Sequence, residues 1–256
     1  MENKMVEALD FLYKNLFPTG INPTVIYNEG WMTRLLVKQS IQEKLIFVLD
    51  NTIIDFGKLS NWSSEALIKS PFVGIPQKPE GYTHADIILG DFQIDYANSG
   101  AISVCEEAKV LGIIEAKMGS NLSQRTTNAT KYNQASRSIC CLASQVPNRC
   151  EIFFVVVAPQ ATITRHNISQ QVKPATIISE IEDRFLKSNV TEFKFKRVSK
   201  TGKKTVVKTK EEIIKKVSKS KILTISYENW IDKLEKKENM KSMKDFYDKC
   251  KEYNKL

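Results

Sequence analysis

A chain of 256 residues with 42% hydrophobic and 26% charged residues has the composition of an ordinary globular protein that can bury a full core. It contains no run of roughly 18 apolar residues, the length of a membrane-spanning helix, and its charged N-terminus differs from a signal peptide, so we expect a cytoplasmic protein with no membrane partner. The five cysteines form no C-x-x-C pair, which argues against a structural zinc site and indicates reduced thiols.

The net charge of +9 is concentrated in one segment. Residues 186–221 contain thirteen Lys or Arg against three Glu, a local balance of +10, so the rest of the chain is close to neutral. Such a basic stretch indicates binding to a polyanion, with nucleic acid or an anionic membrane as the candidates. A solvated lysine-rich surface would have the same composition.

The first 80 residues are predicted to be the mainly helical N-terminal part of a single domain. Helical spacing is found over 3–15 and 31–45, and residues 63–69 could begin another short helix. The period then changes to that of strands. We predict an antiparallel meander in which the strand 84–89 turns at Gly90-Asp91 and pairs with 92–97, followed by strands at 101–105 and 110–118.

The pattern after residue 118 predicts a crossover to a parallel strand. A helix over 130–145 precedes the apolar run 152–158, which is typical of a central strand buried on both faces. We therefore predict an α/β fold in which a mixed central sheet is flanked by helices, with its core at residues 81–160. Residues 161–256 are predicted to add the helix 174–188, a basic hairpin over 191–208, a strand at 222–227 and a helical tail from about Trp230.

Glu115 and Lys117 are the first candidates for chemistry. Residues two apart in a strand share a face, so a carboxylate and an ammonium lie side by side near the end of an apolar strand. Burying either charge alone would cost several kcal/mol, which favours a paired or metal-bound role. The same E-x-K spacing recurs elsewhere, for example at Glu107, so the context of the strand decides.

Asp86 supplies that context, because it is the one acid in a second apolar strand. Mg²⁺ prefers carboxylate and carbonyl oxygens and retains several waters, so Asp86, Glu115 and the backbone carbonyl of Ala116 could form part of its coordination shell, with Mn²⁺ as an alternative. A buried ion pair between Glu115 and Lys117, with Asp86 as a turn residue, is the structural alternative.

This pattern of an Asp, then a strand with Glu-x-Lys, then a helix with Gln and an all-apolar strand resembles the PD-(D/E)XK nuclease superfamily over about residues 81–158. The proline that precedes the aspartate in that family is replaced by Ala85. The resemblance implies a restriction endonuclease-like or RecB-like fold and metal-dependent cleavage of DNA. It implies that Asp86 and Glu115 bind the metal, that Lys117 positions the attacking water, and that Gln134, with Arg137, lies near the site.

Two further groups of residues are expected to contribute. Members of the superfamily often add an acid from an N-terminal helix, and of Glu29, Glu43 and Glu65 we prefer Glu29, although a first-turn glutamate commonly serves only the helix dipole. The basic hairpin alternates apolar residues with cations, so one face could pack while the other binds phosphates. The candidate nucleic-acid-binding residues are Arg137, Lys194, Lys196, Arg197, Lys203 and Lys204.

Three functions follow from the sequence. The first is a metal-dependent nuclease acting on DNA in restriction, repair or defence, as a homodimer or with a partner protein. The second is an inactive nucleic-acid-binding or assembly subunit on a nuclease-like fold. The third is a protein-interaction or toxin-inhibitor role unrelated to nucleic acid.

Overall fold

The structure is a computed structural model that describes residues 4–16, 20, 22–49, 52–75, 80–96, 100–123, 131–199, 202–235 and 240–256. The helices are α1 Lys4–Leu16, α2 Glu29–Gln42, α3 Gln134–Gln145, α4 Gln160–His166, α5 Ile168–Gln171, α6 Pro174–Ser188, α7 Lys210–Val217, α8 Tyr227–Glu235 and α9 Lys241–Tyr253. The strands are β1 Ile46–Leu49, β2 Thr52–Asp55, β3 Asn61–Lys69, β4 Tyr82–Gly90, β5 Gln93–Asp95, β6 Ala101–Ser103, β7 Val110–Ala116, β8 Glu151–Ala158, β9 Glu192–Ser199, β10 Gly202–Thr209 and β11 Lys221–Ser226.

Seven strands form a mixed sheet in the order β11-β8-β7-β4-β3-β6-β5. Strand β4 runs antiparallel to both of its neighbours, β3 and β7, whereas β7, β8 and β11 run parallel. Two separate hairpins, β1-β2 and β9-β10, complete the strands. The chain is therefore an α/β protein with a mixed central sheet.

Helices cover both faces of this sheet because its central strands are apolar on both sides. On one face, α3, α6, α7 and the inner side of the β9-β10 hairpin pack against residues such as Ile113 and Phe154. On the other face, α1, α2, α8, α9 and the β1-β2 hairpin pack against residues such as Ile114 and Val155. Within the described ranges, no helix has both the length and the apolar character needed to cross a membrane.

Several predicted elements are confirmed. The crossover from β7 through α3 to the parallel strand β8 is present, as are α1, α2, α6, the basic hairpin and β11. The helix predicted over 130–145 begins only at Gln134, since the Asn133 side chain caps it by accepting the Ser136 N–H at 2.9 Å.

Two predictions about the sheet are wrong. Residues 63–69 belong to strand β3, because Ala66 and Ile68 are buried where β3 pairs with β4, and this packing outweighs local helix preference. Because the strands β1, β2 and β3 all lie in the N-terminal part of the chain, that part is less helical than expected. The segment 92–97, of which Ala97 lies outside the described residues, does not pair with β4; β5 pairs with β6 at the sheet edge.

Asp91 explains why the chain does not fold back onto β4. Its backbone N–H donates to the Val110 carbonyl at 2.8 Å, and its Oδ2 accepts the N–H groups of Lys109 at 2.7 Å and Val110 at 3.2 Å. The turn is thereby bound to the start of β7. As a result β7, rather than β5, becomes the second neighbour of β4.

Gly112 in β7 is a position where the sheet tolerates no side chain. A Cβ added there would lie 2.2 Å from the buried Phe153 ring. We expect Gly112→Ala to lower the free energy of unfolding by about 1–3 kcal/mol through overpacking, measured by urea denaturation. At the exposed Gly81 an added Cβ meets nothing within 4 Å, so Gly81→Ala should stay within about 0.5 kcal/mol of wild type. Equal stability of the two variants would contradict this packing.

Candidate active site

The sheet opens at Asp86, and this opening creates the candidate site. The ladder between β4 and β7 ends at the pair Ile87 and Ile114, one residue before Asp86 would face Glu115. Instead, Asp86 Oδ2 accepts the backbone N–H of Ala116 at 2.8 Å. Beyond this point β4 continues beside β3 alone, so β4 and β7 separate around the two carboxylates.

The backbone on the other side of Asp86 is also irregular. The pairs between β3 and β4 that flank the position are Ser64 with Ile87 and Ala66 with Ala85. Glu65, which lies between them, has a φ of 55°, a left-handed conformation that is uncommon for a residue with a side chain. Strained backbone of this kind is concentrated at functional sites, and here it lies directly opposite Asp86.

Glu115 is fully buried at the centre of this opening. Its Oε1 accepts hydrogen bonds from Lys117 Nζ at 2.7 Å and from the side-chain amide of Gln134, the first residue of α3. Glu115 Oε2 and Gln134 Oε1 are buried as well, and neither has a hydrogen-bond partner among the described residues. Buried polar atoms usually have partners, so these two oxygens are acceptors that a cation or a water could use.

Glu29 lies next to this cluster. It is the first residue of α2, whose start is fixed by the Asn28 side chain accepting the Trp31 N–H at 2.9 Å. Glu29 Oε2 accepts the backbone N–H of Met118 at 2.5 Å, one residue beyond Lys117. The other two acids considered as additions point elsewhere: Glu43 accepts from Gln39, and Glu65 is ion-paired with Arg34 at 3.2 Å.

The pKa values of the clustered groups reflect burial and crowding of carboxylates. Burial, reinforced by the negative charge of Asp86, raises the pKa of Glu115 from 4.5 to about 8. Burial also raises the pKa of Glu29. For Lys117, burial lowers the pKa, but the carboxylates of Glu115, Asp86 and Glu29 together raise it above its ordinary value. In the protein alone, the ammonium of Lys117 therefore balances part of the negative charge.

The donors present fit a hard divalent cation such as Mg²⁺. Asp86 and Glu115 belong to adjacent strands and lie close enough for the charge of Asp86 to raise the pKa of Glu115. Glu115 Oε2 has no hydrogen-bond partner among the described residues. Among the described residues, no group of three or more His, Cys, Asp or Glu is arranged to hold a metal, and a contribution of Glu29 to the site stays a prediction. Mg²⁺ does not need such a set, because one or two carboxylates and several waters suffice.

Sequence reasoning missed a residue that holds Gln134 in place. Glu180 of α6 accepts the backbone N–H of Asn133 at 2.9 Å and the Ser136 hydroxyl at 2.7 Å, so it anchors the first turn of α3. Nothing in the sequence pairs residue 180 with residue 133, because the contact depends on how α6 packs against α3. The Gln134 amide is thus presented to Glu115 by a capped and anchored helix start.

The basic hairpin has one packed face and one exposed face, as expected, but Arg197 belongs to the packed one. Lys194, Lys196 and Lys204 are exposed, whereas Arg197 is only 6% exposed and donates to the Gln145 carbonyl at 2.9 Å. Arg197 therefore does not belong to the exposed face of the hairpin, and its binding of nucleic acid stays a prediction. The signal was present in the sequence, since Arg197 continues the phase of Phe193 and Phe195. The side chain of Lys203 lies outside the described residues.

Arg137 and His84 are cationic or titratable residues close to the start of β4, upstream of Asp86. Arg137 donates to the Tyr82 carbonyl at 3.1 Å and lies 3.8 Å from Glu80, so its guanidinium already has protein partners. His84 is exposed on β4, two residues before Asp86. A role for Arg137 in binding nucleic acid stays a prediction.

The raised pKa of Glu115 predicts a pH dependence of stability. The folded chain keeps this proton until about pH 8, whereas the unfolded chain releases it near 4.5. The resulting stabilisation is fully present below about pH 4.5 and is lost as the pH rises through about 8. In buffer with EDTA, we expect the stability of wild type relative to Glu115→Gln to fall with pH in this window, by up to about 1.4 kcal/mol per pH unit.

Urea denaturation at several pH values measures this difference. Glu107→Gln, which changes an exposed carboxylate two residues from Lys109, is the matched control and should show no such trend. A pH-independent difference between wild type and Glu115→Gln would show that Glu115 is ionised across the window.

Comparisons with known proteins assign the chain to no family. No protein-family model, no curated protein and no solved structure matches the chain. Functional conclusions therefore depend on the arrangement of Asp86, Glu115, Lys117 and Gln134, with Glu29 beside them.

Proposed function

We propose that the chain is a cytoplasmic nuclease of the PD-(D/E)XK type, with a restriction endonuclease-like fold, that hydrolyses DNA phosphodiesters with Mg²⁺ or Mn²⁺. The observation that supports this proposal is the convergence of Asp86, Glu115, Lys117 and Gln134 where β4 and β7 separate. Two carboxylates, an ammonium and an amide within a partly closed opening are the groups that metal-assisted phosphodiester hydrolysis needs.

Each side chain has a role that follows from its contacts. Asp86 and Glu115 would hold the cation, which when bound lowers the pKa of a water and neutralises phosphate charge. Lys117, 2.7 Å from Glu115, would orient the attacking water and balance negative charge that develops on the phosphate. Gln134 would orient water or substrate through its amide, whose oxygen is buried without a hydrogen-bond partner among the described residues. The Ala116 carbonyl is a further candidate ligand of the metal.

The substrate would be held largely through its backbone. Lys194, Lys196 and Lys204 project from the exposed part of the β9-β10 hairpin, where contacts to phosphates would be independent of sequence. Cutting both strands of a duplex requires two sites, so the proposal includes a homodimer or a partner protein that supplies the second. Restriction, repair or defence against foreign DNA is the matching biology.

A second candidate is an inactive nucleic-acid-binding subunit. The observation that favours it is the direct ion pair between Lys117 and Glu115, in which the lysine satisfies the buried carboxylate without any metal. The exposed lysines of the hairpin would then carry the function. The two candidates differ in whether the DNA is cut.

Cleavage assays with linear duplex, circular duplex and single-stranded DNA in Mg²⁺, Mn²⁺ or EDTA test the proposal. We expect metal-dependent cutting by wild type and a loss of at least about 10²-fold in Asp86→Ala and Lys117→Ala, because each removes a group that acts on the reacting phosphate. Glu107→Ala should cut like wild type. Binding without cutting under every condition would favour the inactive subunit.

From the exposed lysines of the hairpin we predict how strongly DNA binding depends on salt concentration. Each lysine that neutralises a duplex phosphate contributes about 0.9 to the slope of log K against log salt. Replacing Lys194, Lys196 and Lys204 together by Gln should lower that slope by about 2–3 without changing the stability of the fold. The matched control replaces exposed lysines on the opposite side of the sheet, namely Lys4, Lys14 and Lys58. An equal loss of slope in both triple variants would place the binding surface elsewhere.

A further inference from the structure

Three cations are gathered between the β9-β10 hairpin and the C-terminal end of α3. Lys208 is 3% exposed and donates from Nζ to the carbonyls of Ala143 at 2.8 Å and Val146 at 2.5 Å. Arg197, 6% exposed, donates to the Gln145 carbonyl at 2.9 Å. Nearby, Lys216 donates to the carbonyls of Asn148 and Cys150 at 2.5 Å and 2.7 Å.

These cations lack the carboxylates that usually accompany buried charge. Within the described ranges, no carboxylate lies within 4.0 Å of a side-chain nitrogen of Arg197, Lys208 or Lys216, and their bonds go to carbonyls instead. An uncompensated buried cation is costly. Burial lowers the pKa of Lys208 to about 8, and the positive charges of Arg197 and Lys216 add to that effect.

A cleft of about 420 Å³ opens beside these groups; we call it the hairpin cleft. Arg197 and Lys208 line it together with Arg149, Asn148, Glu106 and Glu212. Arg149 is exposed and donates to the Glu106 carbonyl at 3.0 Å. The Glu212 carboxylate is engaged in capping α7, where its Oε2 accepts the Thr209 N–H at 2.9 Å. Three cations, Arg149, Arg197 and Lys208, therefore line the hairpin cleft against two carboxylates, those of Glu106 and Glu212, which leaves the cleft with a net positive charge.

Capping of α3 accounts for the contacts of Lys208 and for one terminal nitrogen of Arg197, but it leaves Arg197 Nε unexplained. A lysine that donates to the last carbonyls of a helix is a common C-terminal arrangement. Arg197 Nε, in contrast, is buried and has no hydrogen-bond partner among the described residues. A guanidinium with an unused buried donor, next to a cleft with a second arginine on its rim, is suited to an anion with several acceptor oxygens.

We propose that the hairpin cleft binds a phosphate group, at a site separate from the carboxylate opening. Arg197 and Arg149 would donate to the phosphate oxygens, and Lys208 would contribute positive charge from the buried side of the cleft. The cleft is larger than phosphate alone and lies within the range of small-ligand sites. The phosphate belongs either to a small phosphate ester, such as a mononucleotide, or to the backbone of a nucleic acid.

Isothermal titration of the full-length protein with inorganic phosphate, AMP and an unphosphorylated 12-nucleotide single strand tests the proposal. EDTA removes divalent metal ions, and a constant ionic strength keeps charge screening equal in all titrations. We expect saturable binding of phosphate and AMP, and a rise in Tm of roughly 3–6 °C at a ligand concentration ten times Kd. Arg149→Gln and Arg197→Gln should weaken this binding at least tenfold.

Lys14→Gln is the control, because Lys14 is an exposed lysine of α1 on the opposite side of the sheet. Its binding should stay within twofold of wild type. If Arg197→Gln does not fold, Arg149→Gln still tests the site from the exposed rim. Absence of saturable phosphate and AMP binding, or equal weakening in Lys14→Gln, would overturn the proposal.

The oligonucleotide separates the two sources of phosphate. Displacement of AMP by the single strand, lost in Arg149→Gln, identifies a nucleic-acid backbone. Binding of AMP that the single strand does not displace identifies a small phosphate ester. Both outcomes support a phosphate site in the hairpin cleft.

Discussion

The hydrogen bond from the Ala116 N–H to the Asp86 carboxylate determines the shape of the candidate site. An interior strand normally pairs its backbone with both neighbours, and a buried N–H left unpaired costs about 1–3 kcal/mol. Asp86 replaces the departing backbone of β4 as the acceptor, so the sheet opens without leaving that amide unsatisfied. The same bond keeps one carboxylate fixed beside Glu115.

The charges at this opening can be balanced in two ways. In the protein alone, burial and Asp86 favour the protonated form of Glu115, and Lys117, 2.7 Å away, stabilises its carboxylate when the proton is released. A divalent cation held by Asp86 and Glu115 would lower the pKa of Glu115 and of Lys117, because it stabilises the carboxylate and repels the ammonium. An ion pair in the resting protein is therefore compatible with a metal site built from the same groups.

The sequence predicted those parts of the molecule in which local pattern and tertiary packing agree. The apolar run of β8, the crossover through α3 and the alternation of the basic hairpin are all visible in the residue order. The segment 63–69 was misassigned because the neighbour that makes β3 a strand is β4, whose pairing the sequence does not specify. Arg197 was misplaced because its charge was given more weight than its phase in the strand.

The candidate site was only partly accessible to the same reasoning. Strand alternation placed Glu115 beside Lys117, and the two apolar strands suggested Asp86. The contacts of Glu29 with Met118 and of Glu180 with Asn133 join residues 89 and 47 positions apart, so they depend on the packing of α2 and α6. No local pattern encodes such distances.

Helix α3 is held by charge at both of its ends. The carboxylate of Glu180 accepts hydrogen bonds at its N-terminus, while Arg197 and Lys208 donate to carbonyls at its C-terminus, an arrangement that complements the helix dipole at each end. The helix has twelve residues and is about 18 Å long. Its ends are thus fixed by α6 and by the hairpin, so sliding along its axis would break both sets of bonds. The hairpin, although distant from the carboxylates, therefore helps to fix α3 along its axis. It thereby fixes the position at which Gln134 contacts Glu115.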